Sequence, residues 1–325
     1  MDLSIIIVNY NVFEDVKKCL GSIYSNISRL KFEVIVVDNN SANRDIEKLK
    51  EIHPDVRLVL NKDNRGFGYA NNIGVTFAEG DFIALVNPDI VFLDNSLEVM
   101  LDYIRTNNNI GAVGPVQVKP NSGIEYYYTF FPSIYSRLMQ EFRLYMTTPI
   151  MKKRFFNFLD EKINIGVPFE VDWVMGSCMM LKRKLFNNLG GFDEAFFLYE
   201  EETELEYRLK RSGLRNYIHP GARVLHNHHS SASKLGVLFI HYHEFRSRII
   251  FDHLRFKGLS FLIRKILILT ALWLRVLYFL PRSLFSDNSK KKLKINCDLL
   301  KFCLQSRKKI LSDQYNYAAK LNLFK

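Results

Sequence analysis

A chain of 325 residues that is 48% hydrophobic and 24% charged buries a substantial core, which excludes a disordered polyelectrolyte. Its four scattered cysteines, Cys19, Cys178, Cys297 and Cys303, form no CxxC pair, which argues against a disulfide framework or zinc ribbon and for free thiols in a reducing compartment. The net charge of +11 is segregated: Arg255 to Lys325 holds 16 Lys+Arg against Asp287, Asp298 and Asp313, and the remainder is near neutral, so an anionic membrane surface fits better than nucleic acid.

The opening MDLSIIIVNYN has an acid at position 2 and a short apolar run, and reads as a first strand rather than a signal peptide. Strand-like runs follow one another at Leu3–Val8, Phe32–Asp38, Val56–Leu60 and Phe82–Val86, with helical stretches at Phe13–Ile27, Arg44–Ile52 and Phe67–Glu79 between them. Continuous apolar strands separated by helices predict an α/β fold with a mainly parallel sheet covered on both faces. Ligands of such sheets bind beyond the carboxyl ends of the strands. Those ends carry Asn9-Tyr10-Asn11, Asp38-Asn39-Asn40-Ser41 and Asn87-Pro88-Asp89.

The aromatic middle, Gly111 to Val171, shows no clear period. Its Tyr126, Tyr127, Tyr128, Phe130 and Phe131 suit either stacking on a ligand or a core. Asp172–Lys182 reads as a buried strand and Glu202–Ser212 as a short helix, with helices from about Leu235 onward. The expected division is a domain of residues 1–232 followed by a helical, basic region, 233–325. In Lys257–Arg282 the charges Arg264, Lys265 and Arg275 leave too short an uncharged run to cross a bilayer. At about 100° per residue, Lys257, Arg264, Arg275 and Arg282 fall within about 20° of one another, a basic stripe expected to snorkel toward lipid phosphates, with a core helix carrying a solvated edge as the alternative.

Three segments carry chemistry. Asp89, beside a rigid proline at a strand end, can hold a hard cation such as Mg²⁺ or Mn²⁺ that also takes oxygens from a diphosphate. Asn64-Arg65-Gly66-Phe67-Gly68-Tyr69-Ala70-Asn71-Asn72-Ile73-Gly74 brings small residues and a helix N-terminus to an anion. It lacks the spacing of the dinucleotide fingerprint, which argues against a nicotinamide enzyme. Finally, Gly190 to Glu204 sets carboxylates behind an aromatic run, where one of them can accept a proton from an attacking hydroxyl. The histidines His226, His228, His229, His241 and His243 lack cysteine or carboxylate partners at zinc-ligand spacing.

In this order the segments resemble the family-2 glycosyltransferases of the GT-A fold, in their rhamnosyltransferase-like branch. The resemblance runs from Ser4–Asn11 through Val-Val-Asp38-Asn-Asn-Ser41, Asn64–Gly74, Asn87-Pro-Asp89, Trp173-x-x-Gly176, Gly190–Glu194, Phe197-Leu-Tyr199 and Glu201-Glu202-x-Glu204 to His226. It implies that Asn9, Tyr10, Asn11, Asp38 and Asn40 line the nucleoside pocket, and that Asn64, Gly66 and Asn71 serve the ribose and diphosphate. It places Asn87, Trp173 and Gly176 in the same donor site. Asn87 and Asp89 stand in the DXD position, with Asp89 and His226 as metal ligands for Mg²⁺ or Mn²⁺. Glu201-Glu202 replaces the family's Glu-Asp, with Glu202 as base and Glu201 as its alternative.

The resemblance therefore implies an inverting transfer of a sugar from a nucleotide diphosphate donor to a glycan or lipid-linked acceptor in surface polysaccharide assembly. The donor first expected is dTDP-L-rhamnose, then UDP-galactose or a UDP-N-acetyl sugar. The expected location is cytoplasmic, peripheral on the inner face of the membrane. A catalytically inert nucleotide-sugar-binding subunit is the competing reading. A nucleotidyltransferase is disfavoured because Asn9-Tyr10-Asn11 is not the basic, glycine-rich loop that class carries after its first strand.

Overall fold

All seven residues of the first strand, LSIIIVN, are buried, as a central strand covered on both faces requires. The computed structural model of the chain describes residues 1–43, 45–121, 123–125, 130–142, 159–227 and 236–313. In chain order the first elements are β1 (Leu3–Asn9), α1 (Phe13–Asn26), β2 (Phe32–Asp38), a 3₁₀ turn (Asp45–Lys48), α2 (Leu49–Ile52), β3 (Arg57–Leu60) and α3 (Phe67–Thr76). They are followed by β4 (Phe82–Val86), β5 (Ile90–Phe92), α4 (Ser96–Thr106), β6 (Ile110–Val118), α5 (Ile134–Glu141), β7 (Phe169–Val171), β8 (Cys178–Lys182) and α6 (Arg183–Asn188). The remainder is α7 (Glu201–Arg211), β9 (Arg215–His226) and the helices α8 (Val237–Arg255), α9 (Gly258–Arg282), α10 (Asp287–Cys303) and α11 (Arg307–Ser312).

The chain divides into two units. The first holds a nine-stranded sheet in the order β3-β2-β1-β4-β8-β6-β9-β5, with β7 paired to β9. β3, β2, β1 and β4 run parallel, whereas β8 is antiparallel to both β4 and β6. This is the mixed, mainly parallel sheet flanked by helices that the strand–helix alternation predicts. On α1, Val16, Cys19, Leu20 and Ile23 are buried at helical spacing and join the β1, β2 and β4 side chains in the main core.

Two expectations change. The stretch 172–182 is not one strand: only Cys178–Lys182 pairs, while Asp172 to Ser177 forms a loop. The longest strand, β9, went unread because His219-Pro220-Gly221 interrupts its alternation; its register with β6 shifts at that point.

The second unit contains α5, residues 194–200 and α8 to α11. Of the basic stripe on α9, Arg264 and Arg275 point into this unit, while Lys257 and Arg282 at its two ends are exposed. Arg264 is buried, donating to the Pro132 carbonyl at 2.8 Å, and lies 3.4 Å from Asp252, which also accepts from Arg137 at 3.0 Å. Arg275 donates to the Glu141 carbonyl at 2.7 Å, and Arg248 lies 3.5 Å from the Glu141 carboxylate. Acids on α5 and α8 thus compensate the guanidinium groups, as buried charge demands. His243 is fully buried among Phe197, Phe239 and Tyr242, a core position; His228, His229 and Tyr126 to Tyr128 lie outside the described residues.

Candidate active site

The site is built where β1, β2 and β4 end. At the end of β1, the Asn9 amide donates to Asp38 Oδ1 at 2.6 Å and to Ser41 Oγ at 3.1 Å, while its own oxygen accepts from Val12 N. Asp38 also takes the Ser41 hydroxyl at 2.6 Å and the Ser41 backbone N–H at 2.9 Å. Asn11 and Asn40 adopt positive φ, 59° and 63°, the conformation that asparagine tolerates best after glycine. Asn11 Oδ1 accepts from Ala42 N, which ties the two strand ends together. Tyr10 is half-buried and Asn40 exposed beside them.

A second cluster centres on Asn39, a residue that sequence reasoning passed over. It is buried, donates to Asn64 Oδ1 at 2.8 Å and to the Gly66 carbonyl at 3.1 Å, and accepts from Asn61. Asn64 in turn accepts from Gly66 N at 3.0 Å. Gly66 has φ 104° at the start of α3, a conformation that side chains resist, so the chain can swing its first helical N–H groups toward the strand ends. Asn71 is buried on the next turn and bonds back to the Phe67 carbonyl. Asn72 bridges to the second glycine-rich segment by a reciprocal pair with the Phe192 backbone, each bond 2.9 Å.

Asp89 is 1% exposed, and among the described residues neither carboxylate oxygen has a hydrogen-bond partner. His226 faces it: its Nε2 lies 3.5 Å from Asp89 Oδ1 and its Nδ1 lies 3.0 Å from Glu125 Oε2. Burial opposes charge on this ring, but the Asp89 and Glu125 carboxylates outweigh it and push its pKa up to about 9. A divalent cation fits the donors present. Glu125 can hold Nδ1–H so that Nε2 is presented as a ligand, the carboxylate–histidine pairing common at metal sites. Among the described residues no group of three His, Cys, Asp or Glu forms a closed cage, so such an ion would draw its remaining oxygens from substrate and water. Glu125 is the partner that the sequence could not reveal, since it meets His226 across 101 positions.

The two glutamates that open α7 diverge. Glu201 is 3% exposed, and its Cβ lies beside Gly68 of α3. Glu202 is half-buried and extends over Gly176. Gly176 adjoins Ser177, whose carbonyl accepts from Asn87 N at 2.7 Å and whose hydroxyl accepts from Gln117 at 2.6 Å. The Asn87-Pro88-Asp89 turn and the seat of Glu202 are therefore one hydrogen-bonded segment. Tyr199 and Glu200, just before α7, both have positive φ, 70° and 68°, a strained entry of the kind that clusters at functional sites. Below Glu202, Glu206 accepts from Val174 N with both oxygens, at 2.9 and 3.1 Å. Burial, together with the Glu202 charge, raises its pKa well above the usual carboxylate range. Trp173 donates through Nε1 to the exposed Phe130 backbone at 3.2 Å.

Residues 4–190, which hold the strand-end motifs and the Asn64–Gly74 and Trp173–Gly176 segments but end before Glu201, Glu202 and His226, match the Glycosyl transferase family 2 model. The chain belongs to this family. As a family-2 glycosyltransferase it is 26% identical to the N-acetylglucosaminyl-diphospho-decaprenol L-rhamnosyltransferase of Mycobacterium tuberculosis, over 69% of this chain and 76% of that one. It is 27% identical to the rhamnosyltransferase WbbL of Escherichia coli, over 70% and 85% of the two chains. With the low-salt glycan biosynthesis hexosyltransferase Agl10 of Haloferax volcanii it shares 25% over 87% and 89%. Its fold is GT-A, similar to that of the mannosyltransferase PcManGT from Pyrobaculum calidifontis in complex with GDP-Man and Mn²⁺, with a TM-score of 0.54 over 92% and 84% of the chains at 16% identity.

Proposed function

We propose that this glycosyltransferase is an inverting, divalent-cation-dependent hexosyltransferase. Its first-choice donor is dTDP-L-rhamnose, and its acceptor a glycan or lipid-linked glycan of surface polysaccharide assembly. The single observation that carries the reading is the buried Asp89 carboxylate, facing His226 and without a hydrogen-bond partner among the described residues, in one hydrogen-bonded segment with the seat of Glu202. The rhamnosyltransferase relatives favour the donor; UDP-galactose and UDP-N-acetyl sugars follow it.

Asn9, Tyr10, Asn11, Asp38 and Asn40 would receive the nucleoside, and the Asn64, Gly66 and Asn71 segment the ribose and diphosphate at the start of α3. Asp89 and His226 would hold Mg²⁺ or Mn²⁺, which supplies Lewis acidity toward the diphosphate when bound. Glu202, being half-exposed, takes the proton of the acceptor hydroxyl while that oxygen bonds to the anomeric carbon. The bond from that carbon to the diphosphate oxygen breaks, and the nucleoside diphosphate leaves from the opposite face, inverting the centre. Glu201 is too enclosed for that task and serves better in packing α7 against α3. The second unit, with its basic helices, would attach the enzyme peripherally to the inner face of the membrane; no described helix is long and apolar enough to cross one.

The test is a panel of dTDP- and UDP-sugars assayed for transfer or donor hydrolysis with Mn²⁺, comparing the parent enzyme with Glu202→Gln. A general base contributes about 10²–10⁴-fold, so turnover falls by that factor while donor binding by calorimetry is retained. Unchanged turnover removes Glu202 from the mechanism. Tight donor binding with no turnover in the parent enzyme instead points to the inert-subunit reading.

A further inference from the structure

We propose that the outward face of α9, opposite its arginines, is the surface that lies in the headgroup layer of an anionic membrane. The inference deepens the peripheral attachment just described and rests on it. Leu259, Leu262, Ile266, Trp273 and Leu277 recur at spacings of three, four, seven and four, which is one helical face, with Thr270 filling the gap between Ile266 and Trp273. Each of these apolar residues is more than half exposed, and at the turn beyond α9 Leu284 and Phe285 reach 80% and 89%. A contiguous exposed apolar ridge of this length marks a docking surface, not ordinary surface variation.

Charge selects the occupant. No acidic residue stands between Asp252 and Asp287, while Lys257 and Arg282 are exposed at the two ends of α9 and exposed Lys290, Lys294 and Lys301 follow on α10. Association of two copies through this face would bring two strongly basic segments together, whereas an anionic bilayer neutralises them. Trp273 and Tyr278 are the side chains that settle at the headgroup level, one end apolar and the other polar. Arg264 and Arg275 supply no lipid contact here: they are held inward by Asp252, Glu141 and two backbone carbonyls. A helix with an apolar outer face and compensated charges on its inner face lies flat in an interface.

The experiment is co-sedimentation of the full chain with vesicles of phosphatidylcholine alone or with about 30% phosphatidylglycerol, a fraction chosen to give the anionic surface potential in question. It uses the parent, Leu262→Glu/Leu277→Glu, Trp273→Phe and Lys290→Gln/Lys294→Gln/Lys301→Gln, all altered at exposed positions. The parent is expected to bind anionic vesicles. The double glutamate variant should lose at least about tenfold in bound fraction, a burial effect of the size two lost leucine contacts produce. The lysine variant should lose binding and salt sensitivity, and a blue shift of emission on binding should disappear in Trp273→Phe. Parent binding that survives the double glutamate change but not the lysine change overturns the face assignment and leaves peripheral attachment standing. No binding by the parent overturns attachment itself. A dimer in sedimentation velocity, abolished by the double glutamate change, overturns the lipid assignment in favour of a second copy.

Discussion

Glu202 lies directly over Gly176: a methyl group on that glycine would come 3.2 Å from the glutamate Cβ and 3.3 Å from its Cγ and carboxyl carbon. The contact is with a side chain, so the backbone can stay while the carboxylate moves. Gly176→Ala is expected to lower kcat by up to about tenfold, because the methyl shifts Glu202 by a few tenths of an ångström and misplacing a catalytic group by about an ångström can cost about 10²-fold. The thermal midpoint should stay near the parent value. A parent-like kcat in this variant would mean that the Glu202 carboxylate position is not set by Gly176.

Asn72 fastens α3 to the segment that leads toward α7 through its paired bonds with Phe192. Asn72→Ala leaves a backbone N–H and C=O without those partners, at a cost of about 2–3 kcal/mol. Urea unfolding followed by circular dichroism measures this. A loss below about 0.5 kcal/mol, the lower end for one hydrogen bond, would show that water replaces the amide freely.

Asp252 is the shared acceptor for Arg137 and lies against Arg264, all three buried. Asp252→Ala strands two guanidinium groups and should destabilise the helical unit by about 3–5 kcal/mol. Chemical denaturation checks the figure; a variant as stable as the parent would place both arginines in contact with water.

Glu206 gives a pH signature. Its folded-state pKa is raised by burial and by Glu202, so the folded state binds its proton more tightly than the unfolded chain. Its stabilising contribution is complete below the ordinary glutamate pKa and is lost as pH rises through the folded value. Glu206→Gln keeps an acceptor for Val174 N without the ionisation. Its urea midpoint relative to the parent should therefore climb from pH 5 to pH 8; a flat difference would show that Glu206 ionises as easily folded as unfolded.

The parallel half of the fold was legible because β1, β2 and β4 are continuous apolar runs whose ends carry Asn9, Asp38 and Asp89. β9 was not, since Pro220 and Gly221 read as a turn although the strand continues past them. Periodicity put Arg264 and Arg275 on one face of α9 but could not say whether that face was buried, because their acidic partners Asp252 and Glu141 lie on other helices. For the same reason Asn39 and Glu125 escaped notice: their importance lies in contacts with Asn64, Gly66 and His226, remote in sequence.

The central claim is that Asp89, with His226 beside it, holds a divalent cation during sugar transfer. Its direct measurement is the initial rate of transfer from the best donor, after chelation and on restoring Mn²⁺ or Mg²⁺, in the parent and in Asp89→Ala. The account predicts that chelation stops the parent, that metal restores it, and that Asp89→Ala falls by at least about 10²-fold at any metal concentration, the loss expected when charge stabilisation of the leaving group is removed. Full turnover by Asp89→Ala, or by the chelated parent, would contradict it.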